Sequence, residues 1–260
     1  MNAGEWAGRS LGERTVGYSE SDAILYALAV GAPADRLDLV FEDRLRVLPS
    51  FGLTLAQWAP DVLAAAGAFD NTAVHGAQTL DVAAPLPRAG ELNLAARVGE
   101  VWDKGRSAVF EVIVECEAFT ATWSIFAPGV GGFGGERGPG RSTEAPEGVP
   151  AELSLVTTPT QAALYRLTGD RHHIHIDPAA SARIGHPVPI LQGLCTLAAA
   201  TLPLADDAGA HPADLVRLEG RFSGAVIPGD LLALQRWEGG EFVAHKGGAP
   251  VISEGLAVFR

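Results

Sequence analysis

Between Ser107 and Ala118 apolar and polar side chains alternate: Ala108, Phe110, Val112, Val114 and Cys116 fall on one face, and Glu111, Glu115 and Glu117 on the other. A strand repeats every second residue, so this pattern predicts an antiparallel strand with one dry and one wet face. Phe119, Ala121, Trp123 and Ile125 carry the alternation on to Phe126, and Leu92 to Val101 predicts a further strand. Helical spacing occurs earlier, where Ile24, Leu25 and Leu28 recur between Ser19 and Gly31; Ser19 with Asp22 resembles a capping box. Thr54 to Ala68 is rich in Ala and Leu and predicts a second helix, whereas Met1 to Gly17 reads as a polar lead-in.

The rhythm breaks between Pro128 and Pro150, a stretch of Gly and Pro that reads as a flexible connection between two halves. Beyond it, Thr158, Pro159 and Gln161 predict a helix start, and Asp230 to Trp237, Glu241 to Lys246 and Pro250 to Phe259 predict strands. The halves match one another. Ala23, Leu25, Tyr26 and Leu28 find Ala162, Leu164, Tyr165 and Leu167 at an offset of 139 residues, and Gly90-Glu91-Leu92 finds Gly229-Asp230-Leu231 at that same offset. Two separated matches without a net gap indicate a duplicated unit. The expectation is an α+β chain of two similar domains, residues 1–127 and 151–260, joined by residues 128–150.

Composition narrows the function. The chain has 260 residues, 47% of them hydrophobic, enough for a large core. No run of roughly eighteen apolar residues occurs, and the N-terminus lacks the basic-then-apolar order of a signal peptide, so a cytoplasmic protein without a membrane span is expected. A formal charge of -12 argues against a nucleic-acid or anionic-membrane surface. Cys116 and Cys195 have no CxxC spacing and read as reduced, buried thiols.

Three of the seven histidines lie within Gly169 to Pro178, GDRHHIHIDP. Asp170 and His175 are five residues apart, a spacing that shares a face of neither helix nor strand, so the two converge only through a bend. A carboxyl and an imidazole brought together make an acid/base pair, contributing about 3 to 5 kcal/mol of barrier lowering per proton transfer. Two other readings stay open on the residues alone: a polar loop whose Asp caps backbone amides, and a metal site built from His173 and His175 on one strand face with Asp170 or Asp177. At the 139-residue offset Asp170 falls on Gly31 and His175 on Arg36, so only the second half carries this chemistry.

LYRLTGDRHHIHIDPAAS followed by PVPILQGLCTL resembles the signature of the hydratase 2 / MaoC-like dehydratase family, Gly-Asp-x-Asn-Pro-aliphatic-His-x-Asp-Pro and then Pro-Ile-Leu-His-Gly-Leu-Cys-Thr. The first half is also similar to that family, through ILYALAVGA, LPSFG, VHGAQTL, PLPRAGEL and GGFGG. The resemblance implies a double hot-dog fold and hydration of trans-2-enoyl-CoA to (3R)-hydroxyacyl-CoA, or the reverse, without metal or redox cofactor. It implies Asp170 and His175 as the catalytic pair, with His toward water and Asp toward carbon, and the Gly193 N–H as the donor to the thioester oxygen. Cys195 and Thr196 become helix packing, Glu42 a structural or substrate-positioning residue, and residues 54–68 the place where the first half gives up helix to an acyl chain. The substrate is an acyl-CoA or acyl-carrier-protein thioester; acyl length and oligomeric state, monomer or homodimer, stay open. The chain departs from the family pattern at His172 for Asn, His173 for Pro, Gln192 for His and Ala77 for Glu. His172 and Gln192 are therefore candidate water- or substrate-positioning residues, and the same departures motivate an alternative, a catalytically silent acyl-thioester-binding module.

Overall fold

A computed structural model describes residues 2–140 and 146–260. In chain order the elements are β1 (Ser10–Tyr18), α1 (Glu20–Ala29), α2 (Leu37–Val40), α3 (Phe51–Leu55), α4 (Trp58–Ala65), β2 (Val74–Val82), β3 (Gly90–Asp103), β4 (Ser107–Glu115) and β5 (Phe119–Pro128). The second half follows with β6 (Ala151–Val156), α5 (Gln161–Tyr165), α6 (Pro178–Arg183), α7 (Gly193–Asp207), β7 (Leu215–Phe222), β8 (Leu231–Arg236), β9 (Glu241–Lys246) and β10 (Ala249–Phe259). All ten strands form one sheet in the order β1-β3-β4-β5-β2-β7-β10-β9-β8-β6. Replacing each first-half strand by the strand five later turns one end of this order into the other, so the duplication read from the offset is a duplication of topology. The halves join edge to edge where β2 pairs antiparallel with β7, from Ala77 opposite Arg221 to Asp81 opposite Arg217.

The alternating pattern folds as expected. Ala108, Phe110, Val112 and Val114 of β4 are fully buried, and Ala121 and Trp123 of β5 extend the same dry face. Burying each large side chain of this kind contributes about 1.5–3 kcal/mol. In the second half the inward side of the sheet closes over α7, which packs against β6 and β10 and has eleven of fifteen residues buried. In the first half the corresponding space holds α3 and α4, two short helices separated at Ala56 and Gln57 in place of the single helix predicted over residues 54–68. Each half thus has the curved sheet and enclosed helix of a hot-dog unit.

Other expectations change. The polar lead-in contains β1, an edge strand whose residues are mostly wet on both faces and so show no alternation. In each half a strand precedes the helices, and β2 and β7 lie at the seam. The Gly-rich connection, over the part described up to Gly140, is pinned: Asp103 accepts from the N–H groups of Gly105, Gly132 and Gly134 at 2.8–3.0 Å. A Cβ at Gly131 would overlap the backbone of Gly105 and Ser107, which is why glycine stands there. Residues 141–145 lie outside the described residues. The capping box at Ser19 and Asp22 is present, with Ser19 N–H donating to the Asp22 carboxylate at 2.8 Å. Among the described residues no helix is long and apolar enough to cross a membrane.

Candidate active site

The segment after α5 turns sharply. A 3-10 turn at Arg166–Thr168 ends at Gly169, and a second at His173–His175 brings the chain back before Asp177 caps α6 through the Ala179 N–H. Asp170 and His175 meet across this bend, with Asp170 Oδ2 3.6 Å from His175 Nε2. That separation is too long for a direct hydrogen bond, and one water about 2.8 Å from each atom, off the line joining them, could bond to both. The loop rests on the first half: a Cβ at Gly169 would lie 3.3 Å from the Thr54 carbonyl oxygen at the end of α3.

His175 is oriented from behind. Its Nδ1–H donates to the Ile190 carbonyl at 2.8 Å, since a carbonyl only accepts. In the neutral ring the proton therefore sits on Nδ1, and Nε2 faces Asp170 with a free lone pair. His175 is buried, and that burial lowers its pKa, outweighing the opposite pull of the Asp170 charge and of the Ile190 bond. The imidazole is thus held neutral, the form that takes a proton.

Gly193 is the first residue of α7, where N–H groups have no intrahelical acceptor, and Gln192 before it supplies no side-chain cap. Among the described residues the Gly193 N–H has no backbone acceptor, and it lies at the positive end of a fifteen-residue helix. Gly193 has no room for more, because a Cβ would sit 3.0 Å from the Phe222 ring. Phe222 in turn packs edge-on against His75, ring centroids 4.8 Å apart.

The remaining candidates fall in three places. His172 is exposed; its Nδ1 accepts the Ile174 N–H at 3.4 Å, and its ring centroid is 6.2 Å from that of His175. Its neutral tautomer accordingly carries the proton on Nε2, making it a donor. Its backbone N–H donates to Asp170 Oδ1 at 3.1 Å. Gln192 is buried, with Nε2 donating to the Ala162 carbonyl at 3.3 Å and Oε1 unpaired among the described residues. Glu42 lies in an exposed 3-10 turn, where its carbonyl accepts from Arg88; no hydrogen bond or ion pair among the described residues links its carboxylate to Asp170 or His175.

His173 and His175 sit in a 3-10 turn, one exposed and one buried, so the strand face needed to share a metal does not exist. No group of three or more His, Cys, Asp or Glu among the described residues is placed to hold a metal ion. Cys195 is fully buried and burial raises its thiol pKa, so it keeps its proton, and Thr196 bonds back to the Gln192 carbonyl as helix packing. Two parts of the site had no signature in the sequence: the Ile190 carbonyl, a backbone group, and Phe222, one ring among ten.

Residues 17–127 match the MFE-2 hydratase 2 N-terminal domain and residues 141–249 the MaoC like domain. Enoyl-CoA hydratase ChsH3 of Mycobacterium tuberculosis is 36% identical over 247 residues, covering 86% of this chain and 84% of that protein. Peroxisomal multifunctional enzyme type 2 of Mus musculus is 34% identical over 95% of this chain, which spans 37% of that longer protein. Among solved structures, a MaoC-like dehydratase from Phytophthora capsici superposes with a TM-score of 0.88 at 25% identity, covering 100% of this chain and 98% of the other. Both halves are accounted for, in order and at the bend that carries Asp170 and His175: the chain belongs to the MaoC-like hydratase 2 family.

Proposed function

We infer that this protein is a hydro-lyase that adds water to trans-2-enoyl thioesters to give (3R)-hydroxyacyl thioesters, or removes it. CoA is the carrier favoured by the likeness to proteins named enoyl-CoA hydratases. The observation that carries the reading is the tautomer of His175: Ile190 holds the Nδ1 proton, so Nε2 is a base aimed across 3.6 Å at Asp170. A water between them gives one proton to His175 Nε2 as its oxygen bonds to C3 of the substrate. The C2–C3 π electrons move toward the thioester oxygen, where the Gly193 N–H stabilises the developing enolate. The proton taken by His175 Nε2 passes to the facing Asp170 carboxylate, which delivers it to C2 on the face that received the water, so that both groups return to their starting states. In this reading His172, which stands where the family pattern has Asn, donates through Nε2–H to that water, and Gln192, bonded to the Ala162 carbonyl, braces the start of α7 against α5.

The division of labour follows the duplication. Residues 151–260 perform the chemistry, residues 1–127 accommodate the acyl chain beside the interrupted α3–α4 segment, and residues 128–150 connect them. Loss of enoyl-thioester absorbance from a series of trans-2-enoyl-CoAs, with chiral analysis of the product, tests the assignment. An unchanged spectrum with saturable CoA-ester binding would instead favour the silent binding module suggested by His172 and Gln192.

A further inference from the structure

His75, a first-half histidine with no part in the reaction described above, is the first of three residues in contact across the seam. It lies in β2, where the pairing with β5 slips between His75 and Ala77 at a bulge. A bulge re-aims the side chain beside it. Here the ring folds back along its own strand, and Nε2–H donates to the Ala77 carbonyl at 3.0 Å, since a carbonyl only accepts. Pinned in this way, the ring meets Phe222 in a T-shaped arrangement, with centroids 4.8 Å apart and planes inclined by 68°. Phe222 is the last residue of β7 and follows Arg221, which stands opposite Ala77 in the β2–β7 pairing. The same Phe222 ring lies against Gly193: a Cβ there would fall 3.0, 3.1 and 3.2 Å from its Cδ1, Cε1 and Cγ.

Gly193 is where such a contact has a consequence. A backbone donor stabilises developing charge only when it is held at the position the oxyanion occupies. Glycine has no side chain with which to anchor itself, so the placement of its N–H depends on what packs against the backbone. From α5 the start of α7 is held by Gln192, whose Nε2 donates to the Ala162 carbonyl at 3.3 Å. From the seam it is held by Phe222, which is only partly buried and needs a stop of its own. His75 supplies that stop with a ring that cannot turn without breaking its bond to Ala77. Burial lowers the His75 pKa to about 4, so the ring is neutral near pH 7 and bears on Phe222 by shape, not by charge.

We propose that His75 and Phe222 are positioning residues for Gly193: the pinned histidine of the first half holds the Phe222 ring against the start of α7 and so keeps the Gly193 N–H at the thioester oxygen. This rests on the hydratase reading above and adds to it a part for the first half in the chemistry, exerted through Gly193. The test measures kcat and KM on a trans-2-enoyl-CoA for His75→Ala, His75→Phe and Phe222→Leu in the full chain, normalised to the folded fraction from a urea transition. Leu80→Val is the seam control, because Leu80 is a fully buried residue of β2 opposite Leu218 of β7. His75→Leu, which keeps bulk without a ring or its bond, replaces His75→Ala where the latter does not fold. The expected result is a fall in kcat of about fivefold to tenfold for His75→Ala and Phe222→Leu with KM within about twofold, since the donor serves charge that develops only in the transition state. His75→Phe, which restores a ring without its bond to Ala77, is expected to recover more than half of that loss, and Leu80→Val to lower stability with kcat within about twofold. Unchanged kcat in either His75→Ala or Phe222→Leu overturns the proposal, as does an equal fall in Leu80→Val, which would reduce the contacts to seam packing. A rise in KM at unchanged kcat overturns it too, by making the two rings substrate contacts. A wild-type chain that turns over no enoyl-CoA sinks the hydratase reading itself and this proposal with it; wild-type turnover with unaffected His75→Ala and Phe222→Leu removes this proposal alone.

Discussion

The two halves of the chain build the same five strands in the same order and then diverge at the helix the sheet encloses. In the second half α7 runs unbroken for fifteen residues and opens on Gly193. In the first half the equivalent space is filled by helices of five and eight residues, and Gly31 and Arg36 stand at the offset positions of the catalytic pair. Arg36 binds Asp38 and Asp206 instead, tying the first half to the end of α7. Duplication of a sheet therefore does not oblige duplication of what it encloses: the same strands surround one unbroken helix in one copy and two short helices in the other.

The largest expected effect breaks this asymmetry at its active end. Asp170→Asn or His175→Gln is expected to lower kcat by about 10²–10⁴ without loss of fold, each removing one proton-transfer group. Steady-state rates on an enoyl-CoA, with circular dichroism as the fold check, measure it; a residual rate within tenfold of wild type would move the chemistry elsewhere. Next, Gly193→Ala is expected to cost about 10–10²-fold in kcat, because its methyl would press on Phe222 and shift the N–H proposed to meet the enolate. Gly193→Ala combined with Phe222→Leu should recover part of that loss if the collision is its cause.

Acid stability tests the seam between halves. Burial depresses His75 to about 4 from an ordinary 6.5, and lowers His175 as well. A depressed histidine binds its proton more readily in the unfolded chain, so stability is full above pH 6.5 and falls as pH drops from 6.5 toward 4. His75 alone would then remove on the order of 3 kcal/mol across that window. Urea transitions at about pH 7 and about pH 4.5 measure the fall, and His75→Phe should flatten it while keeping an aromatic contact with Phe222. The smallest effect is expected from Arg36→Ala, the first-half counterpart of His175: turnover within about twofold of wild type, with about 0.5–1 kcal/mol of stability lost from its partly exposed ion pairs.

Legibility along the chain followed how local each cause was. The inward face of β4 was readable because alternate burial needs only a strand with one dry side, and Phe110 and Val112 are indeed fully enclosed. The Ser19–Asp22 cap was readable because both partners lie within one helical turn. β1 escaped notice because an edge strand bathed on both faces has no reason to alternate. The Gly-rich connection read as flexible because glycine spacing carries no trace of Asp103, the carboxylate more than 25 residues earlier that gathers its amides.

By itself the sequence determined the duplicated α+β plan, the confinement of Asp170 and His175 to one copy, and the need for a bend between them. Those follow from periodicity, offset and residue chemistry, all of which are local or repeated. The tertiary structure alone decided that His175 is held neutral with Nε2 free. Its charge state and tautomer depend on burial and on a carbonyl fifteen residues away, and neither leaves a mark on the order of the letters. It also decided that Thr54 of α3 approaches Gly169, so that the first half helps shape the loop carrying Asp170 and His175.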